Sequence, residues 1–258
     1  MIKAVFFDID GTLVSFKTHK LPDSTVRALD LLREKGIKVF IATGRQLQSI
    51  NNLGTQEFDG YVTLNGGYCL AGKDKVIYKH NIPSGDIEAL IRYQENEEAF
   101  PCALVEEDGI YQNYVDDSVR QLYDMLDFPH PPLRPLRGNG GKEVYQLIAF
   151  FSPGHEERIM SVLPHCEATR WNPLFADFVP RGSSKAVGID KIIEYYGISL
   201  HEAMAFGDGG NDMAMLCHAG IGVAMGNAGD EVKEAADYVT DSVDDDGVMN
   251  ALRHFDVI

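Results

Sequence analysis

Met1-Ile2-Lys3-Ala4-Val5-Phe6-Phe7-Asp8-Ile9-Asp10-Gly11-Thr12 opens the chain, and its reading decides the fold. An apolar run from Ile2 to Phe7 stops at two acids one residue apart, and then at Gly-Thr. A short run of this kind, ended by a turn signal, reads as a strand buried on both faces. At the centre of a parallel sheet, its carboxyl end opens into the crevice where such folds bind ligands. Asp8 and Asp10 share a side-chain direction only if the strand continues that far. Asp and Gly also end strands simply because they favour turns, so Asp-x-Asp alone decides nothing. The rest of the chain has to.

Working outward, the same grammar recurs. Leu21-Pro22-Asp23-Ser24 starts a helix whose apolar period runs through Leu32, with Gly36 as its stop. Ile37 to Ala42 is a second buried strand, ending at Thr43-Gly44-Arg45, and Gln46 to Leu53 is expected to be helical. Gly60 to Leu64 is a third strand, ending at Asn65-Gly66-Gly67. Strands separated by helix-length segments point to βαβ units and a parallel sheet. From Pro83 the pattern changes, and strands come in adjacent pairs, as in an antiparallel α+β arrangement. Cys102 to Glu106 turns into Gly109 to Asn113, and His165 to Arg170 into Leu174 to Val179. A proline-rich connection, Phe128 to Pro135, lies between these pairs, and Trp171 and Phe175 read as core of this region. The parallel pattern resumes after Pro180. Ser184 to Tyr196 is a helix, and Ala203 to Phe206 is a strand ending at Gly207-Asp208-Gly209-Gly210-Asn211-Asp212. Ile221 to Ala224 is another strand, ending at Met225-Gly226-Asn227. The expected organisation is an α/β chain with a Rossmann-like parallel-sheet core over 1–83 and 181–258. An inserted α+β domain is expected over 84–180, with a hinge at each junction.

Composition narrows the functions. The 258 residues carry a formal charge of −16, which argues against a nucleic-acid partner. A phosphorylated substrate would need a cation or a local basic cluster to offset that field. The four cysteines, Cys69, Cys102, Cys166 and Cys217, have neither zinc nor CxxC spacing and read as reduced core residues. No apolar run approaches membrane-spanning length, and the opening run breaks at Asp8 in a way a secretory signal would not. A cytoplasmic protein is the expectation. The acids Asp241 to Asp246 lack the spacing of a calcium loop and read as a solvated helix start.

Four strand ends now offer chemistry: Asp8 with Asp10, Thr43, Asn65, and Asp208 with Asn211 and Asp212, while Lys185 starts a helix. Clustered carboxylates without His or Cys make a hard oxygen site suited to Mg²⁺. Thr43, Asn211 and Lys185 are the donor types a phosphate needs. Gly44 and the glycines at 209 and 210 let backbone N–H groups approach an anion.

Asp8-Ile-Asp10-Gly11-Thr12, Ala42-Thr43-Gly44-Arg45, Lys185 and Gly207-Asp208-Gly209-Gly210-Asn211-Asp212 resemble the four ordered motifs of the haloacid dehalogenase (HAD) superfamily. The insert, preceded by Asn65-Gly66-Gly67, is similar to that of the Cof-type phosphatase branch, whose large α/β cap closes over the substrate. The resemblance implies a Mg²⁺-dependent phosphatase of small phosphorylated metabolites, sugar phosphates foremost, working through an aspartyl-phosphate. It makes Asp8 the nucleophile and Asp10 the general acid and base. It gives the metal to Asp8, the backbone carbonyl of Asp10, and Asp208, with Asp212 as a further ligand or as support. Thr43, Gly44, Lys185 and Asn211 would hold the phosphoryl oxygens. Arg45 and Asn65 keep two readings, substrate contact or a tie between the helix start and the cap base, the tie being preferred for Asn65. Ala186 and Gly67 depart from the commonest wording of the motifs, small residue for small. A sugar phosphomutase shares these motifs, and a phosphate-accepting switch uses similar residues. The hundred-residue insert speaks against the switch, and a nucleotide-binding module would want a glycine-rich loop that the chain lacks. A dehalogenase has no use for Asp10.

Overall fold

The structure, a computed structural model, describes residues 1–126 and 129–258. The side chains of Leu126 and Trp171 lie outside that description, as does Phe128, where the proline-rich connection was expected to begin. In chain order, β1 (Ala4–Phe7), α1 (Asp23–Glu34), β2 (Lys38–Ala42), β3 (Gly60–Thr63), β4 (Tyr68–Ala71) and β5 (Lys75–Lys79) come first. Then follow α2 (Ser84–Asn96), β6 (Cys102–Glu106), β7 (Ile110–Gln112), α3 (Asp117–Leu126), β8 (Val144–Ala149), α4 (Glu156–Val162), β9 (Cys166–Asn172) and β10 (Phe175–Pro180). The chain closes with α5 (Lys185–Tyr196), β11 (Ala203–Gly207), α6 (Met213–His218), β12 (Ile221–Ala224), α7 (Asp230–Ala235), β13 (Tyr238–Val239) and α8 (Gly247–His254). The chain divides into two units, one formed by Met1–Lys79 with Ser183–Ile258, the other by His80–Gly182.

The first unit is built on an eight-stranded sheet of order β13-β12-β11-β1-β2-β3-β4-β5. Its strands from β13 to β3 pair in parallel, and β4 and β5 add an antiparallel ribbon. β1 lies between β11 and β2, with Phe7 in register with both Phe206 and Ile41. Its four residues are fully buried, as an all-apolar central strand must be. Phe7 stacks on Phe206 at 4.9 Å and Phe6 on Phe40 at 4.8 Å, tying the three central strands together through their side chains. Burying each ring contributes about 2 kcal/mol. α1 runs from Asp23, its chain turning away at Gly36 with φ of +73°. α5 ends at Gly197, also left-handed.

Two local expectations change. β1 stops at Phe7, so Asp8 and Asp10 do not share a strand face. Gly11, at φ of +85°, turns the chain, and Asp10 bridges to Val14 within that turn. The helix expected over Gln46 to Leu53 is a single tight turn, Leu47–Ser49, closed by bonds from Ser49 N to Gln46 O and Ile50 N to Leu47 O. The carbonyl of Ser49, which a longer helix would use, accepts from Arg45 Nη1 at 3.2 Å.

The second unit is a five-stranded antiparallel sheet of order β7-β6-β8-β10-β9. Ile87, Leu90 and Tyr93 of α2 and Ile159 of α4 join Leu104, Leu147 and Phe178 in one core cluster. A second cluster packs Val119, Leu122 and Tyr123 of α3 against Phe150 and Phe175. Glu106, fully buried on β6, is satisfied by Arg134 and by Asn139 Nδ2 at 2.8 Å. Arg134 also lies over the Tyr111 ring, so both its charge and its planar face are engaged within this unit. No helix among the described residues is long and apolar enough to cross a membrane.

Candidate active site

Asp8 is the first residue past β1, its backbone N–H bonded to Phe206 O of β11 at 3.0 Å. Strand order sets what surrounds it: the end of β11, which leads to Asp208, on one side, and the end of β2, which leads to Thr43, on the other. Lys185 enters at the first turn of α5, whose cap Ser184 accepts from Val187 N. Its side chain is fully buried and donates to Asp8 Oδ1 at 2.6 Å and to Asp212 Oδ1 at 2.5 Å. Lys185 is thus no solvated helix-start lysine. Asp212 Oδ2 accepts from the backbone N–H groups of Asp208 and Gly209, so both oxygens of Asp212 are in use.

Asp208 completes the cluster. One oxygen each of Asp8, Asp208 and Asp212 lie within 4.8 Å of one another, an all-oxygen set that fits a hard divalent cation. Asp208 Oδ1 accepts from the buried Thr12 hydroxyl at 2.9 Å. Three acids around one lysine put more carboxyl groups into a largely buried space than one ammonium can balance. The result is visible in the acids themselves. Burial pushes Asp8 up to about 8 against the opposing pull of Lys185, with Asp212 and Asp208 pushing further up. Burial likewise pushes Asp208 up to about 6, although the Thr12 hydrogen bond opposes it. Burial alone would lower Lys185, but the fields of Asp212 and Asp8 outweigh it and hold the ammonium charged. Asp212 thus anchors the lysine while remaining one of the three acids whose oxygens could hold a cation.

The remaining residues gather at the neighbouring strand ends. Thr43 is buried, and its Oγ1 accepts from Arg45 N at 3.1 Å, leaving the O–H proton without an acceptor among the described residues. Asn211 Nδ2 donates to Asn65 Oδ1 at 3.0 Å, and both amides flank Gly44, where a Cβ would lie 3.2 Å from Asn65 Oδ1. Asn65 adopts a left-handed φ of 52° there. Its amide oxygen is held by Asn211, a tie within the first unit. Arg45 grips Asp10 through Nε to Oδ2 and Nη2 to Oδ1, each at 2.7 Å. The sequence left Arg45 between two roles and did not anticipate this one.

Other residues at the site went unread. In sequence Thr12 is one residue of a motif and Asn227 one residue of a strand end, and neither position signals a contact with Asp208. Asn227 Nδ2 donates to Gly11 O at 2.9 Å and Asp208 Oδ2 at 3.2 Å. The acidic run is more than a solvated helix start, since Asp244 accepts from Ser15 Oγ at 2.6 Å and pairs with Lys17 at 2.7 Å. Of the cysteines, Cys69, Cys102 and Cys166 are buried and pushed up to about 12 by that burial, which rules them out as thiolate nucleophiles.

A parallel sheet with carboxylates at its strand ends and a lysine at the first turn of a helix, in a chain that also carries an inserted unit, is the architecture of one class of hydrolase. Residues 5–252 match the haloacid dehalogenase-like hydrolase family. The chain is 35% identical over 261 residues to the putative phosphatase YkrA of Bacillus subtilis (strain 168), covering 99% of this chain and 98% of that protein. It is 46% identical to the solved structure of the HAD subclass IIB sugar phosphatase BT4131, with a TM-score of 0.88 over 99% of this chain and 100% of that one. The phosphatase BT1666 from Bacteroides thetaiotaomicron is 41% identical, with a TM-score of 0.93 over 100% of this chain and 96% of that one. The chain belongs to the haloacid dehalogenase-like hydrolases, as a phosphatase of the Cof type.

Proposed function

We propose that the protein is a Mg²⁺-dependent phosphatase of small phosphorylated metabolites, sugar phosphates first among them, acting through an aspartyl-phosphate on Asp8. The observation that carries this reading is the cluster of Asp8, Asp208 and Asp212 around the buried Lys185, an excess of acids that a cation would balance. The sugar-phosphate preference is supported by the likeness to a sugar phosphatase at 46% identity.

Asp8 and Asp208, with the backbone carbonyl of Asp10, would hold Mg²⁺, which supplies charge neutralisation for the entering phosphate and for the transition state. Lys185 keeps Asp8 Oδ1 occupied, which leaves Oδ2 to attack phosphorus. The Thr43 hydroxyl, the Asn211 amide, Lys185 and the backbone at Gly44 receive the phosphoryl oxygens. Asp10 gives a proton to the leaving alkoxide and takes one from the attacking water in the second step. Arg45 places one donor on each Asp10 oxygen, which leaves a lone pair on each for the proton that moves. The unit His80–Gly182 we assign as the cap that closes over the substrate and selects it.

A panel of phosphorylated metabolites assayed with Mg²⁺, and again after chelation, tests the proposal. Phosphate release from sugar phosphates that disappears on chelation is expected. Turnover that survives chelation would remove the metal from the reading, and transfer to a second sugar hydroxyl without phosphate release would make the protein a mutase.

A further inference from the structure

Asn227 lies in the connection between β12 and α7, two residues beyond the buried Met225. All of its amide is engaged. Oδ1 accepts from Val243 N at 2.9 Å, and Nδ2 donates to Gly11 O at 2.9 Å and Asp208 Oδ2 at 3.2 Å. A backbone N–H can only donate, so Val243 fixes which end of the amide is oxygen and points the NH₂ group at the site.

Those two acceptors belong to the elements that carry the proposed metal ligands. Gly11 O is one peptide beyond the Asp10 carbonyl, and Asp208 Oδ2 is the oxygen that Thr12 does not hold. Between them, Thr12 and Asn227 place one neutral donor on each Asp208 oxygen, fixing the carboxylate plane without cancelling its charge. Space around it is already tight: a Cβ at Gly11 would sit 2.1 Å from Asp208 Oδ2. A carboxylate held this way meets a cation with little reorganisation, and losing a partner of this kind costs about tenfold to a hundredfold in metal affinity.

We propose that Asn227 is a positioning residue that orients Asp208, and the turn bearing the Asp10 carbonyl, for the divalent cation. This rests on the metal-dependent reading of the site. The loop after Thr12 is tied to the segment 243–244 by a separate bond, from Ser15 Oγ to Asp244 Oδ1 at 2.6 Å. Ser15 anchors that loop without touching Asp208, which makes it the natural comparison.

The test is calorimetric titration of the metal-free protein with Mg²⁺ for the native chain, Asn227→Ala, the milder Asn227→Ser, and Ser15→Ala, with thermal unfolding of each. Asn227→Ala and Asn227→Ser should weaken the Mg²⁺ dissociation constant by about tenfold. Turnover at saturating Mg²⁺ should stay within about threefold of native, since ligand placement acts on metal loading first. Ser15→Ala should bind Mg²⁺ as the native chain does. Native-like affinity in either Asn227 variant that folds overturns the proposal. So does an equal loss in Ser15→Ala, which would make Asn227 a loop anchor only. If the native chain shows no saturable Mg²⁺ binding, the metal reading of the site fails, and the inference falls with it.

Discussion

Arg45 and Asp10, 35 residues apart in sequence, form a two-point ion pair at 2.7 Å on each side. The fork fixes the plane of the carboxyl group proposed to exchange protons with the substrate oxygen. Arg45→Lys keeps the charge but loses the two-point geometry. It should slow turnover of alkyl phosphates by about tenfold to a hundredfold, part of what a placed general acid contributes. Aryl phosphates, whose leaving groups need no proton, should lose much less. Equal losses on both substrates would mean that Arg45 acts on something other than Asp10.

Asp8 and Asp208 are pushed upward by burial, to about 8 and about 6, from 3.8. For an acid raised in the folded state, the folded protein keeps a proton that the unfolded chain has lost. The stability contributed is therefore full below 3.8 and is lost as pH rises, by about 6 for Asp208 and about 8 for Asp8. Mg²⁺ competes with those protons, so its affinity should rise across that window, by up to about tenfold per pH unit for each proton released. Unfolding temperatures with Mg²⁺ and with chelator should diverge as pH rises from about 5 to about 8. A Mg²⁺ shift that does not change with pH would contradict this.

Lys185 is fully buried between Asp8 and Asp212. Lys185→Met leaves those buried acids without their counter-charge, a loss of about 3 kcal/mol at neutral pH. The deficit should shrink on acidification, because protonated carboxyls need no counter-charge. Denaturant unfolding at two pH values checks this. An equal deficit at both would assign the loss to packing.

Gly11 combines φ of +85° with a Cβ direction that would meet Asp208 Oδ2 at 2.1 Å and Phe16 Cε2 at 2.6 Å. Gly11→Ala should therefore cost about 2 kcal/mol in stability and weaken Mg²⁺ binding together. A stability loss with native Mg²⁺ affinity would show that the turn relaxes away from Asp208.

The chemistry of the site was legible because central parallel strands are apolar along their whole length and end abruptly. Asp8, Thr43 and Asp208 each follow such a run, so neighbouring strands put them side by side. Lys185 was legible from its place in an ordered set of motifs, while its burial was not. Partnerships between distant loops could not be read. Arg45 reaches Asp10 across 35 residues and Asn227 reaches Gly11 across 216, and no local pattern encodes either. The expected helix at Gln46 to Leu53 failed for the same reason, since a side chain took the Ser49 carbonyl that local periodicity had reserved for the backbone. The second unit's strand pairs were legible as hairpins, but the capture of Arg134 by Glu106 depended on a buried acid that sequence shows only as one more charge.

The central claim is covalent attack by Asp8, and the stereochemistry at phosphorus tests it most directly. Hydrolysis, in isotopically labelled water, of a phosphorothioate ester made chiral at phosphorus with oxygen isotopes inverts once if water attacks directly and twice if Asp8 attacks first. Overall retention, with turnover lost in Asp8→Asn, is the predicted result. Inversion would contradict it.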